Sequence, residues 1–321
     1  MARAYEVYAD SRQLTHDEWL SNRRTGIGGS DAGAIMGVHP SKGPYGVWAE
    51  KAGYDMAVED NEAMRQGRDL EEYVAQRFTE KTGLKVQREY GMLRSKAHPC
   101  MVANIDRKIR GERAGLECKT SRDIYMKRYR GGDFPMEYYC QCLHYLAVTG
   151  WDAWYLCVVV YGTDVLVFKL CREEVQDDID ALIEAEEAFW RDYVEGGQIP
   201  PPDGLRSTTE ALGKVWAQSE DYAIESTPED EMLIEQLISY KAQRRAADAA
   251  IRKLENQIKA RMQDAEELRG TTALVTWKPS KRRTISEKLI REKYPDVDIG
   301  SIMEESETRR FMIREDDDDE V

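Results

Sequence analysis

The chain has 321 residues, of which 41% are hydrophobic and 33% charged, and its net charge is −14. That is long enough for one large domain with an appendage, and too rich in apolar residues for a disordered chain. No apolar run approaches the roughly 18–20 residues of a membrane span, and the first residues lack the apolar stretch of a signal peptide, so the expectation is a soluble protein of a cytoplasm-like compartment. The acid is unevenly spread: residues 1–130 carry +4, residues 131–203 carry −12 and the remainder −6, which leaves room for a phosphate-binding surface in the first third.

In chain order, residues 16–22 read as a short amphipathic helix. A glycine-rich turn, Gly26-Ile27-Gly28-Gly29-Ser30-Asp31, follows and runs into a second helix that Asp31 or Ser30 could cap. Residues 61–82 carry apolar Met64, Leu70, Val74 and Phe78 at helical spacing, with Gly83 as the stop. Lys85–Tyr90, Met101–Ile109 and Gly115–Thr120 are short and strand-like. Glu137–Thr149 reads as a helix, Trp154–Val160 and Asp164–Leu170 as a hairpin turning at Tyr161-Gly162-Thr163, and Glu173–Glu195 as an acidic amphipathic helix. Together these predict a compact α/β domain over residues 1–200.

Three consecutive prolines, Pro200-Pro201-Pro202, then predict a linker over 201–227. Beyond it, 228–269 reads as a long coiled-coil-like helix, about 60 Å in length, with Leu233, Leu237, Tyr240, Ala247, Ile251, Leu254, Ile258 and Met262 mostly at three-four spacing and Arg244 in the seam. Such a helix either pairs with another helix of the chain or oligomerises, with intrachain packing or a partner contact the favoured reading. Residues 270–321 form a small basic α/β piece with a strand at Thr272–Lys278, the run Lys281-Arg282-Arg283 (a solvated loop, or a DNA or partner contact), the stretch Thr308–Arg314 and an acidic tail, Asp316–Glu320.

The chemistry concentrates in one stretch. Val102-Ala103-Asn104-Ile105-Asp106 ends a strand on an acid, and eleven residues later Glu117-Cys118-Lys119 sits on the next strand. Alternation puts Glu117 and Lys119 on one face and Cys118 on the other, and a hairpin would bring Asp106 to them. Two carboxylates and an ammonium suit metal-dependent phosphodiester hydrolysis: Asp106, Glu117 and the Cys118 backbone carbonyl can hold Mg²⁺, with Mn²⁺ as a substitute, while Lys119 orients the attacking water. Taken alone, the same residues are equally well read as solvated hairpin charges. Glu71 on its helix could project toward the strand pair, and Gln141 offers an amide to a phosphate or base edge.

Other cofactors are not expected. No C-x-x-C occurs among the six cysteines, Cys140 and Cys142 diverge on a helix and no cysteine follows Cys171, so neither a zinc site nor an iron–sulfur cluster is predicted, and any metal should have oxygen ligands. The glycine turn lacks the preceding strand and the Gly-Lys-Ser/Thr of a nucleotide site. It is read as a loop gripping a DNA phosphate, or as a plain turn. His98 reads as a turn residue and Trp151 and Trp154 as core.

Five pieces in order give the combination specificity: Arg23 with Gly26–Asp31; Asn61-Glu62-Ala63-Met64 leading to Gly67 and Leu70-Glu71; His98-Pro99 ahead of Ala103–Asp106; Glu117-Cys118-Lys119; and Gln141. Over residues 15–195 the chain resembles the YqaJ-type viral recombinase family, the phage lambda-type alkaline exonucleases of the PD-(D/E)xK nuclease superfamily. The resemblance implies a restriction-endonuclease-like core, a central mixed sheet flanked by helices, with the long-helix/β segment as an appendage. It implies that Asp106 and Glu117 ligate the metal, that Lys119 is the catalytic lysine, that Glu71 holds the metal directly or through water, and that Gln141 lies beside the substrate. It further implies that Arg23, or the neighbouring Arg24, and Ser30 bind the 5′ phosphate of a DNA end. The activity implied is Mg²⁺-dependent 5′→3′ degradation of linear double-stranded DNA, leaving 3′ overhangs for a single-strand annealing protein in phage-type recombination, by a ring trimer in a bacterial host cytoplasm. A related nuclease with single-strand, flap or endonucleolytic specificity, and a DNA-end-binding module, are the alternatives. One departure stands out: the family often has Pro-Asp-Gly at the first acid, and this chain has Ile105-Asp106-Arg107.

Overall fold

A computed structural model describes residues 3–56, 62–122, 127–162, 164–294, 297–303 and 308–313. Asn61, Thr163, Arg314 and the acidic run Asp316–Glu320 lie outside the described residues. The chain divides into two units, residues 1–217 and 218–321.

In the first unit the elements are β1 (Tyr5–Asp10), α1 (His16–Arg24), α2 (Gly29–Ile35), α3 (Pro44–Lys51), α4 (Glu62–Thr82), β2 (Val86–Arg88), β3 (Gly91–Ser95), β4 (Val102–Ala103), β5 (Arg107–Ile109), β6 (Ala114–Ser121), α5 (Met136–Thr149), β7 (Ala153–Val160), β8 (Asp164–Cys171), α6 (Gln176–Phe189) and α7 (Arg206–Val215). A five-stranded mixed sheet runs β2-β5-β6-β7-β8, in which only β6 and β7 are parallel. Parallel neighbours cannot be joined by a tight turn, and α5 supplies the crossover between them. A smaller antiparallel sheet is ordered β1-β3-β4.

Both faces of the large sheet are covered, which is why all eight residues of β7 are buried. On one face Val74 and Phe78 of α4 pack against Ile109, Leu116, Tyr155 and Cys157. On the other, Leu143 and Leu146 of α5 and Ile179 and Leu182 of α6 pack against Trp154, Leu156 and Val158. The period-two alternation of β6 therefore sends Leu116 toward α4 and its odd-numbered neighbours toward α5. Gly115 is required there, because a Cβ would stand 2.3 Å from the Trp154 ring. This is the expected central mixed sheet between helices.

Several elements differ from the sequence expectation. Met101–Ile109 is not one strand: the chain bends at Asn104-Ile105-Asp106, so β4 joins the small sheet and β5 the large one. β1 and β3 were not anticipated. The N-cap of α2 is Gly28, and Asp31 lies inside the helix, where its carboxylate accepts from the Gly28 N–H at 3.2 Å. Glu173–Glu195 breaks into a 3₁₀ turn, α6 and a π-helical turn at Trp190–Glu195. The segment 201–227 is not linker throughout: α7 inserts Ala211 into a third apolar cluster with Tyr45, Val47, Trp48 and Phe189.

The second unit holds α8 (Pro228–Met262), β9 (Glu267–Arg269), β10 (Leu274–Thr276) and α9 (Glu287–Lys293). α8 starts on a capping box, Thr227 with Asp230, and Pro228 occupies its first turn. It stops at Met262 because Gln263 adopts a φ of 49°, and residues 267–269, expected in the helix, pair with β10 instead. No helix among the described residues is long and apolar enough to cross a membrane.

Candidate active site

The hairpin of β5 and β6 pairs Arg107 with Leu116 and Lys108 with Gly115. Asp106, one residue before β5, is thereby carried alongside β6, and its Oδ2 accepts the Cys118 backbone N–H at 2.8 Å. Glu117, 3% exposed, projects to the α5 side, where its Oε1 meets Lys119 Nζ at 2.6 Å and accepts from Gln141 Nε2 at 2.8 Å. The same Gln141 nitrogen donates to the Tyr145 hydroxyl at 2.9 Å. Lys119 Nζ also lies 5.1 Å from the centre of the Tyr138 ring. Asp106, Glu117, Lys119 and Gln141 are thus brought together by one strand pair and one helix turn.

Charge in this group is incompletely compensated. Burial, then the neighbouring charges of Glu117 and Glu71, push the Asp106 carboxyl well above the usual aspartate range, against the opposing pull of Lys119 and the Cys118 N–H. Burial works against the Lys119 ammonium, but Glu117 and Asp106 outweigh it and hold its pKa above that of an ordinary lysine. Glu117 Oε2 is buried without a hydrogen-bond partner. An orphaned carboxylate oxygen beside a second acid is a fit for a hard cation. Among the described residues no three His, Cys, Asp or Glu side chains gather as a ligand set, so the side-chain donors are two.

Glu71 flanks this group. On α4 it pairs with Arg107, whose guanidinium also reaches Glu72 at 3.1 Å and the Asp106 carbonyl at 2.7 Å. The Arg107 side chain is almost fully buried. The residue standing where the family often has glycine therefore clamps α4 to the first acid, a role the sequence reading did not assign. Gln141 directs its amide nitrogen to Glu117 and Tyr145.

A second cluster surrounds the glycine-rich loop. Arg23 donates to Ser30 Oγ at 2.9 Å and lies over the Trp19 ring at 4.9 Å. Arg23, Arg24 and Ser30 share a pocket of about 760 Å³ with Trp19, Lys42 and Arg68. Beneath it Asp31, fully buried, is bridged by Lys42 at 2.9 Å and by Lys51, also fully buried, at 2.8 Å. Lys42 continues to Glu50 at 2.8 Å. Burial opposes the Asp31 charge, but Lys42, Lys51 and Arg23 hold its carboxyl well below the usual range. Sequence reading missed Lys42 and Lys51, which no motif spacing marks. Gly29 lies so close to Tyr145 that a Cβ would approach its ring to 2.7 Å, so the loop abuts the residue that receives Gln141.

A third buried pair anchors α5. His144 Nδ1 lies 2.9 Å from the Glu186 carboxylate on α6, and Nε2 lies 2.8 Å from the Val102 carbonyl on β4. His98, expected only as a turn residue, also meets a carboxylate, Glu187, at 2.7 Å.

A family model for the YqaJ-like viral recombinase domain matches residues 18–152, which span the Arg23–Ser30 loop, both acids and Lys119. YqaJ of Bacillus subtilis (strain 168) is 36% identical over 317 residues, covering 97% of this chain and 98% of its own length. Among solved structures, the alkaline exonuclease LHK-Exo of Laribacter hongkongensis is 19% identical, covers 56% of this chain and 95% of its own, and superposes with a TM-score of 0.46. A phage-related exonuclease of Haemophilus somnus 129PT is 16% identical, with 56% and 100% covered and a TM-score of 0.41. Near-complete coverage by a relative at this identity, with the family match lying over the clustered residues, means that the chain belongs to the YqaJ-like viral recombinase family.

Proposed function

We propose that this chain is a divalent-metal-dependent exonuclease that degrades linear double-stranded DNA from its ends. The observation that carries the reading is the Asp106–Glu117–Lys119 group, two crowded carboxylates, one with an orphaned oxygen, beside an ammonium. Membership of the YqaJ-like viral recombinase family supports DNA as the substrate. Asp106, Glu117 and the Cys118 carbonyl would hold Mg²⁺, or Mn²⁺ in its place, and Glu71, tied to Arg107, would contribute through water. When bound, such an ion lowers the pKa of a coordinated water and neutralises charge on the phosphoryl oxygens.

The chain's own residues then have distinct tasks. Lys119, kept protonated by Glu117 and Asp106, donates to the attacking water or to a phosphate oxygen. Gln141 fixes the Glu117 rotamer by donating to Oε1, which leaves Oε2 for the cation. Arg23, Arg24 and Ser30 receive the 5′ phosphate in the pocket they share with Lys42 and Arg68. With the phosphate held there, resection runs 5′→3′ and leaves 3′ overhangs for a single-strand annealing protein in phage-type recombination. Residues 1–200 carry the nuclease, assembled as a ring trimer in the host cytoplasm.

Digestion of linear duplex with Mg²⁺, comparing 5′-phosphate with 5′-hydroxyl ends, tests this, with a covalently closed circle and Lys119→Ala as controls. Loss of linear DNA only, faster from 5′-phosphate and abolished by the substitution and by chelation, is the expected result. Cutting of the circle would identify an endonuclease, and inactivity with both Mg²⁺ and Mn²⁺ would leave a DNA-end-binding module.

A further inference from the structure

The 35-residue helix α8 has one buried residue, Met262, at its end. Its apolar stripe is open: Leu233, Tyr240, Ile251 and Leu254 are each 53–66% exposed. The stripe follows a heptad without interruption from 233 to 258, with Leu237, Arg244, Ile251 and Ile258 at one seam position and Leu233, Tyr240, Ala247 and Leu254 at the other. That length meets the three to four heptads or so that a stable coiled coil requires. The seam has an internal symmetry. Reversed about the midpoint between Arg245 and Ala246, it maps onto itself: Leu233 onto Ile258, Leu237 onto Leu254, Tyr240 onto Ile251 and Arg244 onto Ala247.

We propose that α8 is a self-association surface whose occupant is α8 of a second copy of this chain, packed antiparallel in that register. The register answers the one misfit in the seam. A parallel pair would stack Arg244 on Arg244, two like charges in one layer, and Ala247 on Ala247, a void in another. The antiparallel pair sets the long Arg244 stem against the small Ala247 twice, and every other layer joins two large apolar side chains. Charges agree: Arg244 already leans on Asp248 of its own helix at 3.7 Å, and reversal brings Lys241 of one copy to within about half a turn of Asp248 of the other. Two-fold symmetry makes each contact occur twice, as an isologous pair requires, so α8 would join a subunit of one ring trimer to a subunit of another rather than close the ring. The inference is independent of the nuclease reading, because none of these residues lies in the first unit.

The register is tested in the full chain by oxidative cross-linking of two single substitutions, Leu237→Cys and Leu254→Cys, with the unsubstituted protein reporting any background from its own thiols. The antiparallel register expects little cross-linking of either variant alone and a covalent dimer when the two are mixed. Cross-linking of each variant to itself would mean parallel pairing, and no cross-link in any combination would remove the proposal. Ala247→Glu gives a second reading by sedimentation. It faces Arg244 across the antiparallel seam and should tighten association at least tenfold, whereas parallel pairing would place glutamate on glutamate and weaken it. An unchanged association constant would also overturn the proposal.

Discussion

Replacing Asp31 with alanine isolates the buried ion cluster beneath the glycine-rich loop. Its carboxylate binds Lys42 at 2.9 Å, Lys51 at 2.8 Å and the Gly28 N–H at 3.2 Å. After the substitution Lys42 keeps Glu50 at 2.8 Å, but Lys51, with no exposed side-chain surface, is left with the Arg23 carbonyl at 3.2 Å and a Glu50 oxygen at 3.8 Å. Breaking one partner out of a buried pair costs about 3–5 kcal/mol, and because Glu50 partly substitutes, the lower end, about 3 kcal/mol, is expected. For a unit of this size that is roughly a 6–12 °C fall in Tm. Urea unfolding followed by tryptophan fluorescence reads it, since Trp48 is buried in the neighbouring cluster. The double substitution Asp31→Leu/Lys51→Met, which removes both charges, should recover most of the loss. A cost below about 1 kcal/mol for Asp31→Ala, or a double variant as unstable as the two single losses added, would refute the reasoning. The acid limb provides a further check. Because the folded Asp31 pKa lies below its ordinary value of 3.8, its contribution is present above about pH 4 and disappears as pH falls through the folded value. Asp31→Ala should lack that part of the acid transition.

Three more outcomes follow from the geometry. Lys119→Gln should lower kcat on linear duplex by about 10²-fold or more while leaving the circular dichroism spectrum unchanged, since on the proposed reading it removes the donor to the attacking water or a phosphate oxygen. Arg107→Gly removes the cation between Glu71 and Asp106, so the Mg²⁺ concentration giving half-maximal activity should fall severalfold; an unchanged requirement would dissociate Arg107 from the metal site. At His144 burial lowers the pKa, but the Glu186 charge and hydrogen bond outweigh it and leave it raised, so, while Glu186 is ionised, its contribution to stability is full below about pH 6.5 and declines as pH rises through the folded value. His144→Gln should flatten that decline in thermal melts measured across pH 6–9.

Periodicity made some of this legible. α4, α5 and the β7–β8 hairpin bury a regular face, and in β6 the two-residue alternation alone puts Glu117 and Lys119 on one side. β4 and β5 were fused into one strand because an apolar run does not record that the backbone turns at Asn104-Ile105-Asp106 and changes sheet. α7 was hidden by the prolines before it, whose rigidity says nothing of a short helix that docks Ala211 in a cluster made from distant segments. The site divides in the same way. The acids and the lysine are close in sequence and lie on the two arms of one hairpin, whereas Arg107–Glu71, Asp31–Lys51 and His144–Glu186 join residues 20 to 42 positions apart, and such pairings exist only once the fold does.

β6 is the middle strand of the five, bonded to β5 on one side and to β7 along its whole length on the other. Its amides can lose their hydrogen bonds only when the sheet itself comes apart, so in hydrogen exchange the peptide carrying Glu117 and Lys119 should be among the last to take up deuterium. The end of α1, which bears Arg23 and has no buried residue, should exchange earlier, whereas buried Ile27, bonded through its own N–H to Cys100 and through its carbonyl to Val102, should be slow. On the proposed nuclease reading, the Glu117–Lys119 centre is therefore held rigid by the sheet and has no need to reorganise between successive phosphates.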